Sequence, residues 1–274
     1  QFSLQEEIFD GKVDFLEMLP EKTLEEVSLD SNNFVGNLPT RLFNSSSLRV
    51  FSAGNNCFEG GLGGHICKAK NLEILAVPAA TSGKGCRNSI WSHAPAFLQD
   101  RWNAFLVTHW LEGSVPECIF NDLNLSLIIL GGNRLSGDIS HWNIPTSLNR
   151  LDAGSNQLIG TLPPSLENVH KLVSLDLSNN YNIRGDLNVV ANLEGVEDNT
   201  IVRLSTNHLS GAVPKSLLNL DSVDILTGNV FECESSLPEN DPHVRSYECG
   251  SSSIETPFVT FFYVAGTCLF VSVV

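Results

Sequence analysis

Residues 24–42 read LEEVSLDSNNFVGNLPTRL, and the spacing within this stretch decides the fold class of the chain. Counted from Leu24 as position 0, apolar residues occupy positions 0, 3, 5, 10, 14 and 18, and asparagine, glycine and proline occupy positions 8, 12 and 15. Alternating apolar residues at positions 3 and 5 are typical of a short strand with one buried face. One such strand cannot bury that face alone, so the stretch predicts further copies stacked on it.

Further copies of this template start at Leu48, Leu125, Leu148 and Leu172. Two more copies are weak at the front but clear at the rear. Their matching residues are Leu106, His109, Leu111, Gly113, Val115 and Pro116 in one, and Val202, Leu204, Asn207, Leu209, Gly211, Val213 and Pro214 in the other. The Gly-x-apolar-Pro end of the template is nearly intact at residues 36–39, 113–116, 160–163 and 211–214. This repetition predicts a solenoid.

The template resembles the plant-type leucine-rich repeat, LxxLxLxxNxLxGxIPxxLxxL, and the match covers most of residues 24–231. Its Gly-x-apolar-Pro half is typical of the extracellular plant subclass, so the chain resembles plant receptor-like proteins with a C-terminal transmembrane segment. The resemblance implies an α/β-type solenoid, a leucine-rich repeat horseshoe with short parallel strands on its concave face. We expect about nine repeats over residues 1–231, the first of them partial.

Position 8 of the repeat is the asparagine of the template. An inward amide at this position can satisfy backbone groups of its own turn and of the neighbouring turn, so we assign these residues a structural role. Removing such a buried partner should cost about 1–3 kcal/mol. The asparagines are Asn32, Asn56, Asn133, Asn156, Asn180, Asn207 and Asn229.

Positions 2, 4, 6, 7 and 9 are predicted to line the concave face, since the inward residues take the alternate positions. Along the stack this face changes from polar to apolar and then to a mixture of charges. Exposed aromatic residues surrounded by charge are typical anchors of protein interfaces. The alternative is that Phe105 and Trp110 pack beneath the neighbouring irregular segment. The predicted binding residues are Phe105, Val107, Trp110, Leu127, Ile129, Arg150, Asp152, Asp176, Tyr181, Arg203 and His208.

One stretch departs from the template. Residues 72–77 begin a copy, but residues 78–100 abandon it before the pattern resumes near Arg101. We interpret this as a 29-residue irregular repeat or a loop insertion, which could bind a partner or be a solvated loop. Because Ala80 and His109 take asparagine positions, the asparagine ladder should be weakened between residues 78 and 110.

Six of the seven cysteines lie outside the apolar C-terminal tail. The resemblance implies that Cys233 and Cys249 close a C-terminal cap at residues 232–250. Cys57, Cys67, Cys86 and Cys118 allow three pairings, of which Cys57 with Cys67 and Cys86 with Cys118 are the closest in sequence. Asn44 and Asn124 begin N-glycosylation sequons, NSS and NLS. Disulfides and sequons together favour an extracellular or lumenal repeat domain.

The C-terminal end has the composition of a membrane-spanning segment. Residues 257–274 contain 18 consecutive uncharged residues. An 18-residue helix would reach roughly 27 Å, against a hydrocarbon core of about 30 Å. We expect a transmembrane helix there, preceded by a short linker at residues 251–256, and a single-pass type I topology in the membrane. We also expect that the native chain begins before Gln1 and continues past Val274.

Composition excludes several functions. The net charge is −15 and basic residues form no cluster, which argues against nucleic acid because phosphate binding requires Lys and Arg. No metal site is expected, since His65 near Cys67 and His93 near Cys86 match no complete zinc pattern. No enzyme signature occurs either, and we expect neither catalysis nor a cofactor.

The main hypothesis is a membrane-anchored extracellular repeat protein that binds a protein, a peptide or a glycan, as a receptor-like or adhesive module. One alternative is an accessory structural subunit that docks on other membrane protein subunits of a larger assembly. A second alternative is an inhibitor of a secreted cell-wall hydrolase, which requires a soluble chain. The C-terminal helix would bring the lipid bilayer in as a further partner.

Overall fold

A typical repeat contributes a short strand, a turn, a second short strand and a helical return. The computed structural model describes residues 2–4, 9–19, 24–79, 110–191, 199–233 and 236–249. The predicted solenoid with parallel strands is confirmed. None of the helices in the described residues has the length and apolar character of a membrane span, and the segment 257–274 lies outside those residues.

The first strands of the repeats form one nine-stranded parallel sheet, which we call the concave sheet. Each strand pairs in register with the strand of the next repeat, so equivalent positions stand side by side. The strands are β1 (Phe2–Ser3), β3 (Glu26–Ser28), β5 (Val50–Ser52), β7 (Ile74–Ala76), β9 (Leu127–Ile129), β11 (Arg150–Asp152), β13 (Ser174–Asp176), β15 (Ile201–Arg203) and β17 (Ser222–Asp224).

The second strands form two further sheets on the other side of the turn. A three-stranded sheet contains β2 (Asp10–Lys12), β4 (Asn33–Gly36) and β6 (Cys57–Phe58). A six-stranded sheet contains β8 (Glu112–Ser114), β10 (Arg134–Asp138), β12 (Gln157–Thr161), β14 (Asn182–Gly185), β16 (His208–Gly211) and β18 (Val230–Phe231). Between them, among the described residues, runs one isolated bridge from Gly60 to Leu111.

Short helical returns close the repeats, and each buries an apolar residue from the rear half of the template. The 3-10 helices are Asp14–Met18, Arg41–Asn44, Gly64–Lys68, Ile139–His141 and Pro164–Asn168. The α-helices are α1 (Cys118–Asn121), α2 (Asn188–Ala191) and α3 (Lys215–Leu218). Their brevity follows from the repeat length, which leaves about one turn between the Gly-x-apolar-Pro end and the next strand.

The core is a stack of apolar rows that runs the length of the solenoid. The residues at position 3 pair from strand to strand and are at most 3% exposed: Val27, Phe51, Leu75, Ile128, Leu151, Leu175, Val202 and Val223. The inward alternation predicted for the strands therefore holds. Truncating one of the leucines to alanine should cost about 2–5 kcal/mol.

The asparagine ladder is present and buried, as predicted. Asn156 is representative: its Nδ2 donates to the carbonyl oxygens of Leu130, Ala153 and Gly154, each at 3.1 Å. Its Oδ1 accepts from the N–H of Leu135 at 2.9 Å. Each asparagine thus joins the turn of its own repeat to that of the repeat before it, which confirms the structural role.

The irregular stretch interrupts a single repeat. Strand β7 pairs directly with β9, with Ile74 opposite Leu127, so no other strand of the concave sheet lies between them. The weak copy around Leu106 is therefore not a complete repeat, which corrects the expectation of a separate copy. Leu111 instead begins the rear half of the repeat that Leu72 opens. The residues between, 80–109, lie outside the described part of the chain.

The disulfide pattern corrects the pairing favoured by sequence proximity. Cys67 pairs with Cys118, and their Cα atoms are 5.8 Å apart, within the usual range. Pairings of Cys57 with Cys67 and of Cys86 with Cys118 are therefore wrong. Cys57 is also disulfide-bonded, and Cys86 lies outside the described residues. The Cys67–Cys118 bond joins two consecutive helical returns across the break in the second sheet.

The C-terminal cap follows the last strand pair of the solenoid. It contains the predicted Cys233–Cys249 disulfide. The buried carboxylate of Asp241 accepts from the N–H groups of Ile225 and Leu226 at 2.8 and 3.1 Å, in the place where a further repeat would offer backbone carbonyls. The Tyr247 hydroxyl lies between the backbone groups of the last repeat, and its burial raises the pKa of that hydroxyl.

Candidate binding face

The concave sheet brings six of the predicted binding residues together. At position 4, Ile129, Asp152, Asp176 and Arg203 stand opposite one another on four successive strands. At position 2, Leu127 is opposite Arg150. We define the charged face as Arg150, Asp152, Asp176, Arg203 and Asp224; Asp224 ends the position 4 row and pairs in register with Arg203.

Three other predicted residues lie beyond the concave sheet. Tyr181 precedes β14 and His208 begins β16, both in the six-stranded sheet. Trp110 precedes Leu111 and packs on the Arg134 guanidinium, 4.1 Å from the ring centroid. Position 9 therefore belongs to the start of the second strand, which corrects the prediction of one shared face. Phe105 and Val107 lie outside the described residues.

The charged face contains two loose ion pairs. Arg150 is 3.6 Å from the Asp152 carboxylate, and Arg203 is 3.7 Å from that of Asp176. Both separations exceed hydrogen-bond distance, and both arginine side chains are about half exposed, at 46% and 49%. Such contacts contribute little to stability, so the guanidinium groups can turn away without a large penalty.

Asp152 and Asp176 repel each other across neighbouring strands. Burial raises the pKa of Asp152, and the nearby charge of Asp176 raises it further. The opposing contributions are smaller and come from the Gly154 N–H and from Arg150. The ionised form of Asp152 is therefore under-compensated by its surroundings, and an additional positive charge would favour it.

Two glycines, Gly131 and Gly154, leave space for the carboxylates of Asp152 and Asp176. A Cβ at Gly131 would lie 2.5 Å from Asp152 Oδ1, and a Cβ at Gly154 would lie 2.7 Å from Asp176 Oδ1. Both distances are shorter than ordinary Cβ contacts, so a side chain at either position would displace the carboxylate. The glycines at position 6 of these two repeats therefore let each carboxylate lie along the turn of the preceding repeat.

The carboxylate of Asp30, which follows strand β3, behaves differently. Asp30 accepts from the hydroxyls of Ser28 and Ser52 and from the N–H of Gly54, the last at 2.6 Å. Its oxygens are thus occupied by donors from its own and the next repeat. Asp152, by contrast, accepts one backbone hydrogen bond of 3.4 Å, from Gly154. Asp176 accepts from the N–H and the hydroxyl of Ser178 at 3.0 and 2.6 Å, both at its Oδ1, so Asp152 is the less satisfied of the two carboxylates.

An apolar shelf adjoins the charged face, and we define it as Val50, Ile74, Leu127 and Ile129. These side chains are half-buried on adjacent strands β5, β7 and β9. Sequence reasoning found the last two and missed the first two, although position 2 of their repeats already pointed to them. It also missed Asp224, whose buried Oδ1 has no hydrogen-bond partner among the described residues. The missing signal was a repeat opening at Leu220.

The two sequons lie away from the charged face. Asn44 ends a 3-10 helix and Asn124 precedes the strand β9, and both are exposed. A groove of about 520 Å³ is lined by Ser46, which belongs to the first sequon, and by Asn124. It also contains the exposed Arg49–Glu73 ion pair at 2.8 Å. Glycosylation of this edge stays a prediction.

The comparisons with known proteins agree with the repeat architecture. The "Leucine Rich Repeat" family model matches residues 147–169. "Receptor-like protein 18" of Arabidopsis thaliana is 28% identical over 176 residues, which are 62% of this chain and 17% of that protein. "Cuscuta receptor 1" of Solanum lycopersicum is 24% identical over 280 residues, which are 82% of this chain and 25% of that protein.

Among solved structures, the chain is similar to the ectodomain of the Arabidopsis receptor kinase HAESA in complex with an N-terminally extended IDA peptide hormone. The identity is 25% and the TM-score 0.63, over 86% of this chain and 36% of that chain. The chain spans at most a quarter of the length of the two curated relatives named above. Repeat geometry and these similarities together show a leucine-rich repeat solenoid that is similar to plant receptor-like proteins.

Proposed function

We propose that this chain is the ligand-binding part of a receptor-like protein and that it binds a peptide segment on the charged face. The observation that carries the proposal is the in-register row of Asp152, Asp176, Arg203 and Asp224 on four neighbouring strands. Adjacent strands are about 4.8 Å apart, so the row offers charged groups along roughly 14 Å. An extended peptide of four or five residues covers that distance.

The similarity to a peptide-bound receptor ectodomain supports this proposal. The role is one of binding without catalysis. Membrane anchoring is also part of the proposal and rests on the uncharged residues 257–274. Resistance of the full chain to extraction by alkaline carbonate, and its release when residues 257–274 are deleted, are the expected results; release of the full chain by carbonate would contradict the anchor.

A glycan placed on the charged face tests the binding proposal. Asp176→Asn creates the sequon Asn-Leu-Ser at residues 176–178, because Ser178 is already present. His170→Ser creates a matched sequon at Asn168, which is exposed on a different face. The probe is a set of linear peptides selected on the unmodified chain from a randomised phage-displayed library. We expect the glycan at residue 176 to lower their affinity at least about tenfold.

The control at Asn168 should leave the affinity within about twofold. Peptide N-glycosidase converts the glycosylated asparagine to aspartate, so treatment restores Asp176 and should restore binding in the same sample. Equal loss from both glycans, or undiminished binding with the glycan at residue 176, would place the site elsewhere. The selected peptides take the place of the native ligand in every arm of the experiment.

A further inference from the structure

We propose that the peptide carries an apolar residue and a lysine or arginine two positions apart, with the apolar side chain on the shelf and the cation between Asp152 and Asp176. This inference rests on the proposed function, because it assumes that a peptide occupies the charged face.

The positive charge proposed for the peptide follows from the unequal mobility of the acidic and basic side chains on the charged face. Asp152 and Asp176 are short, and their side chains are only 23% and 17% exposed. Arg150 and Arg203 are long, half exposed and outside hydrogen-bond distance of the carboxylates. A peptide cation can therefore replace the loose arginine contacts while the carboxylates stay in place. A charge-assisted hydrogen bond at ordinary distance is stronger than the contacts it displaces.

Charge complementarity supports the same choice. The charged face contains three carboxylates and two guanidinium groups, and the Oδ1 atom of Asp224 has no partner within the described part of the chain. The whole chain carries a net charge of −15. A cationic segment is therefore attracted both at long range and at the contact itself. An acidic segment would instead be repelled by the neighbouring carboxylates of Asp152 and Asp176.

The direction follows from the position of the apolar shelf. Ile129 is directly opposite Asp152, and Leu127 is opposite Arg150, so the shelf ends where the charged face begins. A peptide that crosses the strands must pass from apolar to acidic surroundings. Burial of an apolar side chain on the shelf contributes affinity, and the neighbouring carboxylates contribute selectivity.

The spacing of the apolar and basic residues in the peptide follows from the distance between adjacent strands and from the rise per residue of an extended peptide. The distance from β9 to the midpoint between β11 and β13 is one and a half strand spacings, or about 7 Å. In an extended peptide, residues i and i+2 point to the same side and are about 6.7 Å apart. The two distances agree, so one apolar and one basic side chain can reach their sites together. This holds for either direction of the peptide chain.

A peptide selection tests the pattern. The probe is a randomised linear octapeptide library on phage, panned against the full chain and against Asp152→Asn/Asp176→Ser. Serine is used at residue 176 because asparagine would create a sequon there. The matched control, Asp122→Asn/Glu167→Gln, removes two exposed carboxylates outside the concave sheet. Thermal unfolding verifies that the variants are folded.

We expect the unmodified chain and the control to enrich Lys or Arg two positions from an apolar residue. For the variant Asp152→Asn/Asp176→Ser, which we call the concave variant, the enrichment of basic residues should fall at least about tenfold, whereas the enrichment of apolar residues should persist. A second variant, Leu127→Thr/Ile129→Thr, places strand-forming threonine at both positions and should lose the apolar preference. Enrichment of acidic residues, or a basic preference that survives in the concave variant, would overturn the inference.

The two proposals fail in distinguishable ways. Peptides that lose binding with the glycan at residue 176 but lack the apolar and basic pattern would overturn this inference and leave the proposed function standing. Peptides that tolerate that glycan, or the absence of any enriched peptide, would overturn both.

Discussion

Replacing Asn156 with alanine should destabilise the solenoid by about 2–4 kcal/mol. The dominant loss is the acceptor for the Leu135 N–H, which becomes a buried donor without a partner and costs about 1–3 kcal/mol. The three carbonyl groups that lose the Asn156 amide each keep another donor. These donors are Asn133 Nδ2 to Leu130, Asn180 Nδ2 to Ala153, and the Gly132 N–H to Gly154. Their loss therefore adds only about 1 kcal/mol.

Urea unfolding followed by far-UV circular dichroism and tryptophan fluorescence measures the change. With a slope of about 3 kcal/mol per molar urea, the midpoint should fall by about 1 M. Trp142 is a useful probe, because it is buried and stacked on Phe120 with a centroid distance of 4.1 Å. The matched control is Asn168→Ala, which removes an exposed asparagine from a helical return.

A second substitution separates the two functions of the amide. Asn156→Asp keeps the acceptor for Leu135 but points a carboxylate at three carbonyl oxygens, so it should be at least as destabilising as alanine. If Asn156→Ala shifts the midpoint no more than Asn168→Ala, the ladder does not support the turns and the reasoning is refuted.

Three further predictions concern the Cys67–Cys118 disulfide, the C-terminal cap and the charged face. Changing Cys67 and Cys118 together to serine removes a crosslink of sequence separation 51 and should cost about 4 kcal/mol in the chain-entropy model, measured by urea unfolding; an unchanged midpoint would contradict this. Asp241→Ala leaves two buried N–H groups of the last repeat without an acceptor, so their hydrogen exchange should quicken and stability should fall by about 2–5 kcal/mol; unchanged exchange would exclude the capping role. Because the folded-state pKa of Asp152 is raised, the folded chain binds this proton more tightly than the unfolded chain, and stability falls as pH rises from about 4 through that pKa. The stability of Asp152→Asn relative to the unmodified chain should therefore be higher at neutral pH than at acid pH. The same stability difference between the two proteins at acid and at neutral pH would refute the assignment.

Part of the fold follows from local sequence because the residue pattern of each repeat specifies its strand and its turn. Apolar residues at positions 3 and 5 determine which side of a strand is buried, and the asparagine at position 8 determines where the backbone turns. These are contacts within a repeat or with the next one, about 24 residues away, so a recurring pattern is sufficient to locate them. The cap disulfide between Cys233 and Cys249 was implied by the resemblance to plant-type repeat proteins, and the structure contains it.

The candidate face was only partly predictable. Position 4 could be assigned to the concave sheet because strand alternation leaves no choice once position 3 is inward. Position 9 could not, because it follows the turn, and the turn geometry decides whether its side chain belongs to the first or the second sheet. Trp110, Tyr181 and His208 were misplaced for that reason.

The repeated strands, the leucine rows and the asparagine ladder depend on short-range periodicity, so they can be predicted from the amino-acid sequence. Tertiary structure alone decided that Leu111 completes the repeat opened by Leu72, because two half-repeats of matching pattern do not reveal which halves stack. It also decided that Cys67 joins Cys118, as proximity in space depends on that stacking. The physical reason is common to both: a pattern specifies which side of a segment is buried, whereas the pairing of distant segments depends on the packing of the whole solenoid.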